Sequence, residues 1–262
     1  MKIPVPRALL AGASLLLLAL LPALAAQGSD PEAAFQAVMD RYQSVSDEYR
    51  AKLRAATPEE RGKLTPPPVD AFVAEFADVA RSAPKSETAA RSWMMVVQLG
   101  PQGSDKALIG EAVERLARDH GTSEQAAGLG GTLARAGGAL GEAVVQGHLR
   151  KVVELAPKGA VQAGAMLGLA TSLGDADGTT PGSPAERELE GLVGRLKQDY
   201  ADLNDARGRP YAQVADGILF ARRNLVVGKT VPEIECADTQ GVSFKLSDYR
   251  GKVVLLDFWG DW

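Results

Sequence analysis

The sequence predicts a mainly α-helical chain that ends in a short segment of α/β character. Helix-start signals recur along the chain, and the apolar residues between them repeat at helical spacing. The last residues contain an apolar run, Val253 to Phe258, that is interrupted only by Asp257. Such a run is typical of a strand buried on both faces of an α/β sheet. We therefore expect a helical domain over residues 26–224, followed by the beginning of a second domain over residues 225–262.

Residues 1–25 have the pattern of a secretory signal peptide. Lys2 and Arg7 supply positive charge, Ala8 to Leu21 are apolar, and Ala23-Leu24-Ala25 places small residues around a cleavage site. The apolar run of about 14 residues is shorter than the ~20 that span a bilayer, so we expect cleavage rather than an uncleaved membrane anchor. The mature chain is then expected to have no membrane span and to lie in the bacterial periplasm or cell envelope.

Charge and cysteine content exclude several kinds of function. The net charge of −4 argues against nucleic acid as a partner, because phosphate binding needs a basic face. Cys236 is the single cysteine, so no internal disulfide is expected. His120 and His148 lie far apart in the sequence and are expected to be surface or loop residues rather than metal ligands. We expect neither a metal nor a cofactor.

Start signals and apolar stripes indicate a succession of helices before residue 225. Ser29-Asp30-Pro31-Glu32 begins the first, which is expected to end near Ala56, because proline in the first turn loses no hydrogen bond. Thr57-Pro58-Glu59-Glu60 repeats this signal for a short turn, and Pro66-Pro67-Pro68 is expected to stiffen a linker. The later helices contain Phe72, Phe76 and Val79; Trp93 to Leu99; Leu108, Ala112 and Leu116; Val145, Leu149, Val152 and Ala156; Met166, Leu169, Ala170 and Leu173; Leu189, Leu192, Val193, Leu196, Tyr200 and Leu203; and Tyr211 to Asn224.

A weak internal repeat suggests how these helices are arranged. Gln125-Ala126-Ala127 resembles Gln162-Ala163-Gly164 at an offset of 37 residues. Helical hairpins repeated at about 34–47 residues are typical of α-solenoids, including tetratricopeptide-like arrays. The residues diagnostic of tetratricopeptide repeats are absent, so the prediction is a helical array without a named repeat. A concave protein-binding surface and a helical spacer remain alternative roles.

Two glycine motifs do not indicate nucleotide binding. Thr122 with Gln125 is expected to cap a helix containing Gly128-Leu-Gly130-Gly131, which lacks the third glycine of a dinucleotide fingerprint and follows no strand. It is interpreted as a helix-packing segment. Gly228-Lys229-Thr230 lacks the glycine that a phosphate-binding loop needs five positions earlier, where Arg223 stands. It is interpreted as a linker.

The C-terminal segment carries the most specific pattern. Gly228-Lys-x-x-Pro232-x-Ile234 is expected to be a loop, and Asp238-Thr-Gln-Gly241 a turn between two short strands at about Ile234–Ala237 and Val242–Lys245. Leu246 to Gly251 is expected to be a helical turn that ends on glycine. The buried strand Val253 to Phe258 follows it.

This order of residues resembles the start of the thioredoxin-like redoxins, and among them the exported TlpA/ResA-type thiol–disulfide oxidoreductases. The resemblance extends over about 38 residues, and the related AhpC/TSA-type peroxiredoxin branch fits less well. It implies the first hairpin and strand of an α/β thioredoxin-like fold, with Asp257 as a proton relay. It also places Phe258, Trp259, Gly260, Asp261 and Trp262 beside the active site. In the family Cys-x-x-Cys follows, so the nucleophile is expected directly after Trp262.

As written, the chain has no nucleophile and is expected to be inactive, because thiol exchange requires a thiolate that attacks a disulfide. A selenocysteine codon, a mutated cysteine codon and a fragment are the alternatives for its end at Trp262. The expected function is disulfide reduction or exchange in redox homeostasis, with disulfide-bearing clients and an unknown thiol electron donor as partners. The alternative is a non-enzymatic exported helical scaffold with a vestigial redoxin start. Cys236 is expected to be a buried apolar residue in the hairpin.

Overall fold

The computed structural model describes residues 30–176, 179–205 and 207–257. The predicted signal peptide, residues 1–25, lies outside these ranges. No helix within them is long and apolar enough to cross a membrane.

The described residues are mainly α-helical and end in a two-stranded sheet, which confirms the predicted mainly α class. Short 3-10 helices occupy Gly100–Gln102, Glu124–Ala126 and Leu246–Tyr249. The helices are α1 Pro31–Ala55, α2 Pro58–Arg61, α3 Val69–Ser82, α4 Glu87–Leu99, α5 Lys106–Asp119, α6 Leu129–Arg135, α7 Gly137–Leu140, α8 Glu142–Leu155, α9 Ala160–Asp175, α10 Pro184–Asp199 and α11 Tyr211–Asn224. The strands are β1 Glu235–Ala237 and β2 Ser243–Lys245.

Side-chain caps explain where several helices begin. The Asp30 carboxylate accepts a hydrogen bond from the Glu32 backbone N–H, and Pro31 occupies the first turn of α1. Thr57 and Glu60 form the reciprocal capping box predicted for the short helix α2. The Ser183 hydroxyl accepts from the Glu186 backbone N–H at 3.1 Å and starts α10. The sequence signals for these three starts are therefore confirmed.

The helix predicted to start at Thr122 differs from the observed structure. Ser123, rather than Thr122, caps a 3-10 turn at Glu124–Ala126, and the short helices α6 and α7 follow. Glycines crowd this region, and each glycine inside a helix costs about 0.5–1 kcal/mol relative to alanine. A long helix is therefore disfavoured here. At the end of α10, Tyr200 is the C-cap, so the predicted stripe extends beyond the helix.

Among α3 to α11, consecutive helices pack together as the pairs α3/α4, α8/α9 and α10/α11, while α1 packs on α3 and α4. Helix α5 lies against α4 and α8, and the short helix α6 lies against α9, α8 and α4. Helix α9 contacts α6, α8, α10 and α11, which explains why it is apolar on nearly every side. The largest fully buried side chains belong to this core and include Phe76, Trp93, Leu116, Met166 and Leu196. We call residues 31–224 the helical part.

Helices α6 and α9 approach each other through glycine. A Cβ atom added at Gly130 would lie 2.1 Å from the carbonyl oxygen of Gly164, and one added at Gly168 would lie 2.7 Å from the carbonyl oxygen of Gly130. The backbones therefore touch where any side chain would hold them apart. The interpretation of Gly128-Leu-Gly130-Gly131 as a helix-packing segment is confirmed.

Ion pairs link helices α3, α5, α8 and α10 at the surface. Arg81 of α3 pairs with Glu111 of α5 at 2.5 Å, and Lys151 of α8 pairs with Glu114 of α5 at 2.7 Å. Arg150 of α8 pairs with Glu188 of α10 at 2.7 Å. Exposed pairs of this kind contribute about 0–1 kcal/mol each, so they favour one register between these helices rather than supplying most of the stability.

The two histidines match their predicted surroundings only in part. His120 lies in the loop after α5, as the prediction allowed, but it is only 3% exposed, and its Nε2 has no hydrogen-bond partner among the described residues. His148 is half-buried on helix α8 rather than in a loop, and burial lowers its pKa. In the described ranges no cluster of three His, Cys, Asp or Glu residues has the arrangement of a metal site.

The Asp70 carboxylate links the start of α3 to the loop after α4 by two hydrogen bonds. It accepts hydrogen bonds from the Ser104 hydroxyl and from the Ser104 backbone N–H, both at 2.7 Å. These bonds hold the pKa of Asp70 below its ordinary value. A depressed carboxyl pKa stabilises the fold above the unfolded pKa of about 3.9, and this contribution is lost as the pH falls through the folded pKa.

We therefore expect Asp70→Asn to lower the urea midpoint at pH 7 and to have a progressively smaller effect as the pH falls below 4. The measurement is urea unfolding of both proteins by circular dichroism across this pH range. Asp78→Asn is the matched control, because the Asp78 carboxylate is an exposed partner of Arg81 within α3 and holds no loop. If the difference in urea midpoint between wild type and Asp70→Asn were the same at every pH, the ionised Asp70 carboxylate would not be the source of the stabilisation.

Candidate functional site

The candidate site is the C-terminal segment, residues 228–257, where the sequence carries its redoxin pattern. Gly228 follows α11 at φ = 87°, a left-handed conformation that glycine adopts without strain. Strands β1 and β2 then pair antiparallel, with Glu235 opposite Lys245 and Cys236 opposite Phe244. The Lys245 ammonium lies 2.6 Å from the Glu235 carboxylate across the pair. The hairpin predicted from the turn signal is therefore present, with each strand one residue shorter.

The turn between the strands is built by Asp238 and Gly241. One carboxylate oxygen of Asp238 accepts from the backbone N–H groups of Gln240 at 2.8 Å and Val242 at 2.9 Å. Gly241 has φ = 81°, which the turn requires after these bonds have bent the chain back. This is the predicted Asp-x-x-Gly turn. The sequence analysis did not predict the role of the Asp238 side chain. Aspartate is common at this turn position because its carboxylate accepts hydrogen bonds from the backbone that follows, so the role could have been predicted.

Glu233 links the helical turn Leu246–Tyr249 to the start of the hairpin by a hydrogen bond. Its carboxylate accepts from the Ser247 backbone N–H at 3.0 Å, and the Leu246 N–H donates to the Ile234 carbonyl at 2.9 Å. The hydrogen bonds from Ser247 hold the pKa of Glu233 below its ordinary value. Glu233 was missed by the sequence analysis, since no local pattern pairs it with a residue 14 positions later.

One carboxylate and one aromatic side chain hold the helical turn Leu246–Tyr249 against β2. Asp248 accepts from the Lys245 backbone N–H at 2.9 Å, and the Tyr249 ring meets Phe244 edge-on at 6.2 Å between centroids. Gly251, at φ = 83°, ends the turn as predicted. Residues 233–251 therefore have a defined local structure.

The apolar run after Gly251 is not the buried strand that the sequence predicts. Residues 253–257 form no strand and are exposed, with Val253 103% and Leu255 92% accessible. A strand is buried on both faces only between neighbouring strands and covering layers. In the described part of the chain the sheet has two strands of three residues, and five of those six residues are exposed. Nothing in that sheet covers the run, so the expected burial is wrong here.

Asp257 is exposed at the end of the described chain. Within residues 207–257 its carboxylate has no hydrogen bond or ion pair, so the expected position inside a buried strand is not observed. Its role as a proton relay stays a prediction. Phe258, Trp259, Gly260, Asp261 and Trp262, which the resemblance places beside the active site, lie outside the described residues.

Cys236 is exposed on β1, opposite Phe244, instead of buried as expected. The hairpin has no covering layer among the described residues, so neither of its faces forms a core. The sequence has no second cysteine, so Cys236 cannot form a disulfide within it. It therefore does not replace the Cys-x-x-Cys pair that the redoxin pattern implies.

The hairpin and the helical part interact little in the described chain. The side-chain hydrogen bonds and ion pairs of described residues 228–257 stay within that segment. Helix α11, by contrast, packs against α9 and α10, with Tyr211 and Ala215 buried. Near its end, the Arg222 guanidinium donates to the Thr179 carbonyl, and Arg223 pairs with Glu190. The segment is thus attached mainly through the covalent chain after α11.

Known proteins resemble this chain over a short stretch. It is 50% identical over 38 residues to the thiol-disulfide oxidoreductase ResA of Geobacillus kaustophilus (strain HTA426), which is 14% of this chain and 22% of that protein. It is 47% identical over 38 residues to the ResA of Geobacillus thermodenitrificans (strain NG80-2), with the same shares. The chain thus spans about a fifth of the length of the curated relatives it matches. No family model and no solved structure matches it.

Proposed function

We propose that this chain belongs to an exported thioredoxin-like thiol–disulfide oxidoreductase that reduces or exchanges disulfides in client proteins. The observation that carries the proposal is the 38-residue match to two ResA proteins, at 50% and 47% identity. Residues 225–262, which hold the redoxin pattern, have this same length. The hairpin, the Asp-x-x-Gly turn and the helical turn ending on Gly251 support it as local structure.

The helical part is proposed to be an α-solenoid that positions clients or partners near the redoxin segment. The packing of α3/α4, α8/α9 and α10/α11 as consecutive pairs, with α5 between α4 and α8, supports this proposal, because solenoids stack helical units on their neighbours. Extended surfaces of such arrays bind other proteins. The proposed partners are disulfide-bearing proteins and a thiol electron donor, in the periplasm or cell envelope.

The chemistry proposed for the redoxin segment needs a dithiol, or a selenol and a thiol, following Trp262. A thiolate there attacks one sulfur of a client disulfide, which breaks the client S–S bond, forms a mixed disulfide and releases one client thiolate. The second thiol, once deprotonated, attacks the mixed disulfide and releases the other client thiol, and the resulting disulfide or selenylsulfide of this protein is reduced by the thiol electron donor. Asp257 is proposed to accept and return the proton of the second thiol. A carboxylate in this role acts best with a raised pKa, which burial in a completed sheet would provide.

The test is an insulin-reduction assay. The gene is sequenced beyond the codon for Trp262, and the product that continues past it is expressed with cysteine at the first following position. With dithiothreitol as electron donor, we expect this product to accelerate insulin reduction, and we expect the same product with serine at that position to be inactive. Asp257→Asn in the cysteine product is expected to slow the reaction and to flatten its pH profile.

The alternative function is a non-enzymatic helical scaffold that carries a vestigial redoxin start. The size of the helical part and its few links to the hairpin favour this candidate. It predicts that the cysteine product shows no turnover. A reading frame beyond Trp262 that lacks x-x-Cys would also favour the scaffold.

A further inference from the structure

An open cleft of 1110 Å³ lies at the N-terminal end of the helical part. The second half of α1 forms one wall, with Tyr42, Ser46, Tyr49 and Arg50. The linker Pro66–Pro68, the first turn of α3 and the loop 102–104 complete the lining. Helix α1 has 25 residues, yet its buried residues are Phe35, Val38 and Ser46, so its last two turns are covered little by the rest of the fold.

The walls of the cleft are held in place before any ligand binds. The Tyr42 ring packs edge-on against the buried Phe72 of α3, with centroids 5.4 Å apart. The Asp70 carboxylate fixes Ser104, and with it the loop 102–104, at 2.7 Å. The pyrrolidine rings of Pro66–Pro68 restrict the linker. A rigid cleft loses little conformational entropy on binding, which favours affinity for an extended segment.

The chemistry of the lining suits a proline-containing peptide. Tyr42 and Tyr49 are seven residues apart, or about 10.5 Å along α1, close to the ~9.3 Å per turn of a polyproline II helix. Aromatic side chains at such a spacing form the grooves in which proline-rich segments dock. Arg50 ends the cleft, and its side chain is 61% exposed with Asp47 as a partner at 3.3 Å, so a carboxylate can reach it.

Ser46 gives the cleft a polar group without a partner. The residue is 7% exposed, and its hydroxyl oxygen has no hydrogen bond within the described chain. An unsatisfied buried hydroxyl costs about 1–3 kcal/mol, which a bound group that accepts its proton would recover. Ser46 lies between the two tyrosines along α1 and lines the cleft with them.

We propose that this cleft binds an extended, proline-containing peptide segment in the polyproline II conformation, with an acidic residue placed against Arg50. The volume exceeds the roughly 300–1,000 Å³ of small-molecule sites, and the cleft is open along its length, as a peptide requires. A nucleic acid does not fit, because Arg50 is the one cation in the lining and Asp70 is also present. The proposal is independent of the redox function, since none of the residues that line the cleft belongs to the redoxin segment 225–262.

Fluorescence anisotropy of the full chain with a labelled peptide, Pro-Pro-Leu-Pro-Pro-Glu, tests the proposal. We expect saturable binding, weakened about tenfold or more by Tyr49→Ala, because a single aromatic anchor in a groove often supplies over 1.4 kcal/mol. Tyr249→Ala is the matched control, since Tyr249 is 40% exposed and lies outside the cleft, and it is expected to leave binding unchanged.

Arg50→Gln tests the acidic contact separately. It is expected to weaken the peptide that ends in Glu and to leave a Gln version unaffected. Circular dichroism of each variant checks the fold, which Tyr49 and Arg50 do not support as core residues. The proposal is overturned by any of three results: no saturable signal up to about 1 mM protein, equal binding of a peptide with glycine in place of proline, or binding that Tyr49→Ala does not change.

Discussion

Gly130→Ala is expected to destabilise the helical part by about 3 kcal/mol or more, because overpacking against backbone leaves no flexible group to move. The new Cβ would meet three backbone atoms of Gly164 and Ala165 at 2.1–2.5 Å, well inside van der Waals contact. Helices α6 and α9 must then separate, and α9 contacts α8, α10 and α11 as well. The measurement is the urea midpoint followed by circular dichroism.

The neighbouring residue supplies the control. Gly131→Ala lies on the same helix, and its Cβ would meet only the mobile Arg135 guanidinium at 3.4 Å. Gly194→Ala inside α10 has open space around it. Both are expected to gain up to about 1 kcal/mol, because alanine favours the helical state over glycine. Equal effects of Gly130→Ala and Gly131→Ala would show that backbone contact does not hold α6 on α9.

Trp93→Ala is expected to cost about 3–5 kcal/mol, the usual range for removal of a buried large aromatic side chain. Trp93 is 1% exposed in α4, which packs between α3 and α5, and the Arg81 guanidinium lies 5.7 Å from its ring centroid. For a unit of this size the loss corresponds to a fall of about 10 °C in the melting temperature. Differential scanning calorimetry measures it.

Phe220→Ala is the matched aromatic deletion at the surface. Phe220 lies on α11 and is 50% exposed, so its removal opens no cavity and is expected to change the melting temperature by about 2 °C or less. Trp93→Phe is expected to fall between wild type and alanine, since it keeps much of the ring. A Trp93→Ala protein with the wild-type melting temperature would mean that α3, α4 and α5 do not share one core.

Local signals were sufficient for the helix starts and for the hairpin turn. Asp30 with Pro31, Thr57 with Glu60, and Ser183 each satisfy free backbone N–H groups of the residues that follow. Asp238 and Gly241 do the same for the turn. These interactions span four residues or fewer, so the order of residues specifies them without knowledge of the fold. The same holds for the resemblance to redoxins, which is a match of residues in order.

The sequence predicted the burial of side chains less well than it predicted local structure. Cys236, expected to be buried, is exposed on an uncovered strand, and His120 is buried although it lies in a loop. The run Val253 to Leu256 is apolar enough for a sheet interior, yet it lies exposed. An apolar sequence shows that burial is favourable, while the partner surface that performs it comes from residues distant in the chain.

Residue order alone was therefore enough to identify the mainly helical class, the positions of the capped helices, the Asp-x-x-Gly hairpin and the redoxin pattern up to Trp262. Tertiary structure decided which helices pair, how closely α6 approaches α9 through Gly130, how Glu233 reaches Ser247, and that α1 and Pro66–Pro68 enclose a cleft. The difference follows from the distance along the sequence over which each interaction acts. Caps and turns are satisfied within a few residues, whereas packing and clefts depend on surfaces that meet only after the chain has folded.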